Sequence, residues 1–264
     1  MTRLLFNEFE PVSVKAWKQK IQSDLKGVDY NNALVWNSIE GIDVKPFYHS
    51  EDQDDSITKI NTKATAWKIC QSIFVLDTVK SNAKAIDAIQ RGAESITFVL
   101  SSEDIEIEAL LFHIDLAVVP IHFEMTFLSE QISHSINLLA LKHDAKFYIR
   151  TDIIGHLAKT GNWYTNYKDD HGTLNAIIAK TRALKSSVSV DVSLYQNAGA
   201  TIIQQLAYAI AHANEYLNNF GDTIQNSITF NLSVGSNYFF EIAKIRALRL
   251  LWKTLASEYF ETST

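Results

Sequence analysis

The sequence predicts an α/β protein in which parallel strands alternate with helices, preceded by a short arm of different character. Three observations predict it. From Trp67 onward, apolar β-type runs alternate with helix-type stretches about six times, the pattern of a parallel sheet built from βα units. Several of these runs lack polar alternation, as strands covered on both faces do. No G-x-G-x-x-G follows the first run, which weighs against a doubly wound dinucleotide-binding sheet. Together they favour a TIM-type (β/α) barrel, incomplete at about six units where eight are usual.

The arm and linker take residues 1–60 and the partial barrel 61–264, with the boundary near 50–64. Val14 to Lys26 reads as an amphipathic helix, with Val14, Trp17, Ile21 and Leu25 near one face and Gly27 as its stop. Leu34-Val35-Trp36 reads as extended, followed by Ile39 to Tyr48, interrupted by Gly41 and Pro46. Ser50 to Ser56, with Glu51, Asp52, Asp54 and Asp55, reads as a solvated linker without cation-loop spacing. Strands are expected at Ile69 to Leu76, Ser95 to Leu100, Val118 to Met125, Lys146 to Ile149, Val188 to Leu194 and Ser227 to Val234. Helices are expected at Asn82 to Arg91, Glu103 to Phe112, Ser129 to Leu141, Leu174 to Leu184, Ala200 to Asn218 and Tyr238 to Phe260.

Within the helix from Ala200, Asn197 stands where a cap is needed. Ile202, Ile203, Leu206, Ile210, Ala213 and Leu217 form its apolar face, extended by Tyr208 and Tyr216. The last helix packs through Phe239, Ile242, Ile245, Leu248, Leu251, Trp252 and Leu255. Its polar side carries Lys244, Arg246, Arg249 and Lys253, a face that solvent or a partner accounts for more readily than an anionic ligand.

Composition narrows the function. The 264 residues carry 24 Lys+Arg against 30 Asp+Glu, a net charge of −6, with no Lys/Arg-rich run, so nucleic acid is a poor partner. The single cysteine, Cys70, excludes an internal disulfide framework and a cysteine zinc site; it reads as a buried small hydrophobe in a reducing cytoplasm. The start, Met1 to Phe6, reaches Asn7 and Glu8 before any long apolar stretch and is no signal peptide. No window approaches the ~20 apolar residues of a membrane span. A cytoplasmic protein is expected.

His122 and Glu124 lie two apart on a strand and so share a face. They fit an acid/base couple, two metal ligands, or a hydrogen-bonded polar pair inside a barrel. Asp152 and His156 close the fourth strand; they fit the mouth of a site, or a turn capped by an aspartate. His113, His134 and His143 fall at helix surfaces or ends. Asp169-Asp170-His171-Gly172-Thr173-Leu174 comes near the D-x-H-x-x-G pattern that ligates cobalamin, but Leu174 stands where glycine is required and Tyr164 to Asp170 reads as a polar loop. Hydrolase-elbow, zincin and P-loop signatures do not occur.

Longer stretches carry a resemblance. Phe9-Glu10-Pro11-Val12-Ser13, Trp17, Asp24-Leu25-Lys26-Gly27 and the run Trp36 to Tyr48 resemble the N-terminal arm of methylmalonyl-CoA mutases. Val192-Ser193-Leu194-Tyr195-Gln196-Asn197-Ala198-Gly199-Ala200, with Gln205 to Tyr208 and Glu215-Tyr216, is similar to their fifth barrel strand and the helix after it. Phe239 to Ala247, ending in Leu251-Trp252, resembles the helix after strand six. The matches run from about residue 7 to residue 255.

The resemblance implies an acyl-CoA-binding barrel followed by a separate cobalamin domain, with radical chemistry interconverting methylmalonyl-CoA and succinyl-CoA. This chain departs from the catalytic pattern in three places. The R-G-P-Y-type segment of the first strand has no counterpart between Tyr48 and Phe74. The Tyr-His pair that catalytic chains carry before the A-G-A turn aligns with Ser193 and Leu194, and leucine cannot polarise a thioester carbonyl. Tyr195, next to them on a strand, would face the other way. The chain also ends after the sixth unit, before the cobalamin domain.

The resemblance therefore implies the non-catalytic small subunit of a heterodimeric mutase, with no catalytic, cofactor or metal residue in this chain. Adenosylcobalamin is expected on a catalytic partner. Pairing with that partner or self-association would cover the open strand edges, and an acyl-CoA ester is a possible ligand. The alternative is a stand-alone barrel enzyme or binding protein for another acyl-CoA ester, acting through His122, Glu124 and Asp152.

Overall fold

The computed structural model describes residues 9–10, 12–49, 52, 67–224 and 227–259. The readings of residues 1–8, of the acidic segment apart from Asp52 and of Phe260 lie outside these residues. Contacts divide the chain into two compact units, residues 1–59 and 60–264.

In the first unit, Ser13 accepts from the Ala16 N–H and starts α1 (Val14–Asp24). Left-handed Lys26 and Gly27, at φ +50° and +94°, end it. Asp29 then caps α2 (Tyr30–Leu34), so Leu34 is helical where an extended piece was expected. The side-chain oxygen of Asp29 bonds the Asn32 N–H at 2.9 Å and holds the chain in a turn. β1 (Trp36–Asn37) pairs antiparallel with β2 (Asp43–Val44).

The second unit is α/β with a parallel four-stranded sheet of β3 (Cys70–Val75), β4 (Ser95–Leu100), β5 (Ile121–Met125) and β6 (Phe147–Arg150), in that order. β7 (Val188–Asp191) and β8 (Ile228–Asn231) form a second parallel pair. A bridge from Tyr148 to Ser186, and a 2.8 Å bond from the Ser189 N–H to the Thr151 carbonyl, join β6 to the chain entering β7. Six strands thus follow one another in sequence order, with no reversal of direction or order.

Between them run α3 (Thr78–Gln90), α4 (Ile107–Leu110), α5 (Glu130–His143), α6 (Ile153–Thr160), α7 (Tyr167–Lys180), α8 (Ser193–Asn197) and α9 (Ile202–Phe220), and α10 (Tyr238–Tyr259) follows β8. Side-chain caps at Asp77, Ser129, Asp152, Asn166 and Thr201 set the starts of α3, α5, α6, α7 and α9.

Several elements differ from expectation. The fifth strand stops at Asp191, because the Asp191 carboxylate takes the Ser193 N–H at 3.1 Å and turns the chain into α8. Asn197 lies inside α8; Thr201 caps α9 through a reciprocal box with Gln204. The second helix shrinks to Ile107–Leu110. Asn166 caps α7, so Tyr167 to Asp170 form its first turn instead of a polar loop.

Two helices keep part of their predicted faces inside and bury polar residues beside them. α9 buries Ala213, Tyr216 and Leu217 of its predicted face and packs Leu206 and Ile210 against the core, but it also buries Gln205, Ala209 and His212 and leaves Ile203 and Tyr208 exposed. α10 buries Glu241, Lys244 and Leu248 and exposes Phe239, Ile242 and Leu251. Lys244 is therefore no part of a cationic surface. Its Nζ pairs with Glu241 at 2.6 Å and donates to Gln196, Gln205 and the Ser233 carbonyl at 3.0, 3.2 and 2.7 Å. Cys70 is exposed rather than buried; it sits at the start of β3, the outer strand of the described sheet, with Sγ 3.3 Å from the Thr97 hydroxyl.

Candidate functional site: a polar cleft at the strand ends

Strand register sorts the sheet into two faces. Ile73, Phe98, Phe123 and Ile149 stand side by side and pack on Ala85, Leu110 and Ile136 of the covering helices. The opposite face is polar in its first layer, where Ser72, Thr97, His122 and Tyr148 align; Phe74, Val99, Glu124 and Arg150 form the next. On the second pair, Ser189 stands beside Thr229 and Asp191 beside Asn231. A packed barrel interior is normally dominated by branched apolar residues. This face is not.

At the C-terminal ends of β5 to β8 that polar face opens into a cleft of about 660 Å³. Glu124, Arg150, Ser189, Asp191 and Asn231 reach it from the strands, Asp152 from the turn after β6, His156 and Lys159 from α6, and Ser193 from α8. Ser189 is buried and its hydroxyl has no hydrogen-bond partner, a deficit that water or a ligand would have to meet.

His122 and Glu124 do share a face, but each is engaged with the neighbouring strand. The His122 ring stacks on Tyr148 at 4.4 Å and 15°. Burial and the nearby Arg150 charge pull its pKa down to about 4, so it is neutral at pH 7. Glu124 pairs with Arg150 at 3.5 Å. His122 is not among the cleft-lining residues, whereas Glu124 is.

Asp152 and His156 both line the cleft, as their position suggested, yet Asp152 is saturated. Its carboxylate accepts from the Gly155 N–H (2.7 Å), the Tyr216 O–H (2.7 Å), the His212 Nε2–H (2.8 Å) and the Asp191 N–H (2.8 Å). Burial, reinforced by Asp152, holds the Tyr216 phenol well above its ordinary pKa, so it stays a donor. The Tyr195 hydroxyl donates in turn to His212 Nδ1 at 3.1 Å, with its pKa pushed by burial to about 12. These four donors leave the carboxylate little room to accept from a ligand. Gly155 is required here: a Cβ would lie 2.3 Å from Asp152 Oδ2. His156 stacks on Tyr164 at 3.7 Å, and burial lowers its pKa.

Ser193 lines the cleft, with its hydroxyl donated to Asp191; Leu194 does not line it. Tyr195 lies on a helical turn, so strand alternation is not what directs it. Its ring sits beside Tyr208 and His212, outside the cleft. The tyrosine and histidine that do line the cleft are the stacked pair Tyr164 and His156. Arg150, Ser189 and His212 escaped the sequence reading. Register alone would have revealed Arg150 opposite Glu124, but nothing local marks His212, whose partner is 60 residues away.

His171 is buried on α7. Its Nδ1 is held by the Tyr167 carbonyl at 2.8 Å, its ring lies among Trp163, Tyr167 and Phe220, and Nε2 is buried without a partner. No group of three or more metal-ligating side chains occurs among the described residues, nor any helix long and apolar enough to cross a membrane.

Residues 99–264 match the family model for methylmalonyl-CoA mutase. The chain belongs to the methylmalonyl-CoA mutase family. It is 32% identical to a methylmalonyl-CoA mutase small subunit of Porphyromonas gingivalis, over 97% of this chain and 46% of that one. It is 26% identical to a methylmalonyl-CoA mutase of Cereibacter sphaeroides, over 92% of this chain and 42% of the relative. A probable methylmalonyl-CoA mutase large subunit of Mycobacterium tuberculosis is 31% identical over 42% of this chain and 16% of its own length. The chain spans a little under half the length of the first two relatives.

Proposed function

We propose that this chain is a non-catalytic, small-subunit-like part of a cobalamin-dependent methylmalonyl-CoA mutase and that it pairs with a catalytic subunit. The observation that carries the reading is Ser193. It stands in the cleft at a position where catalytic members, by the resemblance, carry a tyrosine, and Leu194 replaces the adjacent histidine outside the cleft. A serine already bonded to Asp191 and a leucine offer a reacting thioester little electrostatic stabilisation.

Relatives named small subunit and large subunit support a two-chain enzyme. The six parallel strands in sequence order support a TIM-type barrel that further units would complete. Adenosylcobalamin belongs on the partner in this reading, since His171 is walled in. A cytoplasmic heterodimer follows from the same reading.

A second element concerns the cleft. The polar inner face and the unsatisfied Ser189 hydroxyl support retention of an acyl-CoA ester without turnover. Saturation of Asp152 argues against the stand-alone enzyme acting through His122, Glu124 and Asp152.

Co-expression with a mutase large subunit tests the pairing. A stoichiometric complex surviving gel filtration is expected; elution of the two chains as separate species at micromolar concentration would overturn it.

A further inference from the structure

We infer that the cleft receives a thioester with an uncharged acyl group in preference to one ending in a free carboxylate. The inference rests on the reading that the cleft holds an acyl-CoA ester, and it concerns only the acyl end.

Charge inside the cleft carries it. Three carboxylates line the cleft, Glu124, Asp152 and Asp191, against two obligate cations, Arg150 and Lys159. Arg150 is the cation on the sheet itself, and its guanidinium faces Glu124 at 3.5 Å on the adjacent strand. Its charge is therefore balanced from within before any ligand arrives. Lys159 lies on the exposed end of α6, where solvent screens it. His156 adds no charge at neutral pH, because burial lowers its pKa below its ordinary value.

Asp152 spends its lone pairs on four protein donors and Asp191 accepts from Ser193, so neither carboxylate offers a donor to a ligand. A ligand carboxylate would add a fourth anion to this partly desolvated space, where like charges repel far more than in bulk water. A neutral acyl group meets no such repulsion. Ser189 supplies the polar contact: its hydroxyl is buried, unpartnered and on the cleft wall, able to donate to a thioester carbonyl.

Isobutyryl-CoA and methylmalonyl-CoA differ by a methyl group in place of a carboxylate, which makes them a matched pair of probes. Calorimetric titration of the 264-residue chain with each should show isobutyryl-CoA binding about tenfold more tightly or better. Glu124→Gln frees Arg150 and should shrink that ratio severalfold. Asp191→Asn, which removes a different carboxylate, should shrink it too and serves if the first variant does not fold. Equal affinities, or tighter methylmalonyl-CoA binding, would overturn the inference while leaving ester binding intact. Failure of both esters to bind would overturn the reading beneath it, and the inference with it.

Discussion

The two halves of the α/β unit are held together by different physics. Around β3 to β6, four strands in unbroken register press Ile73, Phe98, Phe123 and Ile149 against the helices. Stability there is apolar and local. Around β7 and β8 the apolar cluster is threaded by buried polar groups: Asp152 with His212, Tyr216 and Tyr195 on one side, Lys244 with Glu241, Gln196 and Gln205 on the other. The same half supplies most of the cleft. The difference teaches that the cleft walls are set by hydrogen bonds of fixed direction, which specify loop positions more sharply than apolar contact does.

Substitutions can break or sharpen this contrast. Asp152→Ala strands four donors at once and should cost about 4 kcal/mol in urea unfolding. Phe123→Ala, in the other half, should cost a similar 3–5 kcal/mol, roughly, by opening a cavity. The two are distinguished by a double-mutant cycle. Asp152 and His212 should couple by about 1–3 kcal/mol, whereas Phe123 and His212 should add; additivity in both cycles would erase the contrast.

Lys244→Met leaves Glu241 buried without its cation and should cost about 3 kcal/mol. Adding Glu241→Gln should recover most of that loss, and no recovery would mean that the ammonium acts through its glutamine and carbonyl bonds instead. Gly155→Ala forces the Asp152 carboxylate off its cap and should cost about 2 kcal/mol by thermal or urea unfolding.

A smaller effect tests the first half. His122 has a pKa near 4 in the fold against 6.5 ordinarily. The unfolded chain therefore binds a proton that the native protein does not, and stability falls as pH drops from about 6.5 to 4, having been complete above that window. His122→Gln should flatten this part of the pH–stability curve; an unchanged slope would place the loss elsewhere.

The apolar half was readable because its information is local. Ser95 to Leu100 appears as a strand with the predicted bounds, since every residue in it is β-compatible and both faces are covered. The polar half was less readable because its decisive contacts span long separations. Val192-Ser193-Leu194 looks like more strand, and only the capture of the Ser193 amide by Asp191 shows that it turns. Ile153 and Ile154 hide α6, since an apolar pair after a strand gives no helical period, and the Asp152 cap that starts it is recognisable only once the turn is known. α9 keeps Ala213, Tyr216 and Leu217 of its predicted face inside, and the added burial of Gln205 and His212 depends on partners on other elements. Within the cleft, the Glu124 and Asp152 positions were legible; the neutralisation of one and the saturation of the other were not.

A non-catalytic subunit cannot carry out the reaction of its family unaided. The decisive measurement is methylmalonyl-CoA to succinyl-CoA turnover by the isolated chain with excess adenosylcobalamin, beside the same chain mixed with a mutase large subunit. No turnover alone and isomerisation only in the mixture is the predicted result. Sustained isomerisation by the isolated chain would contradict it.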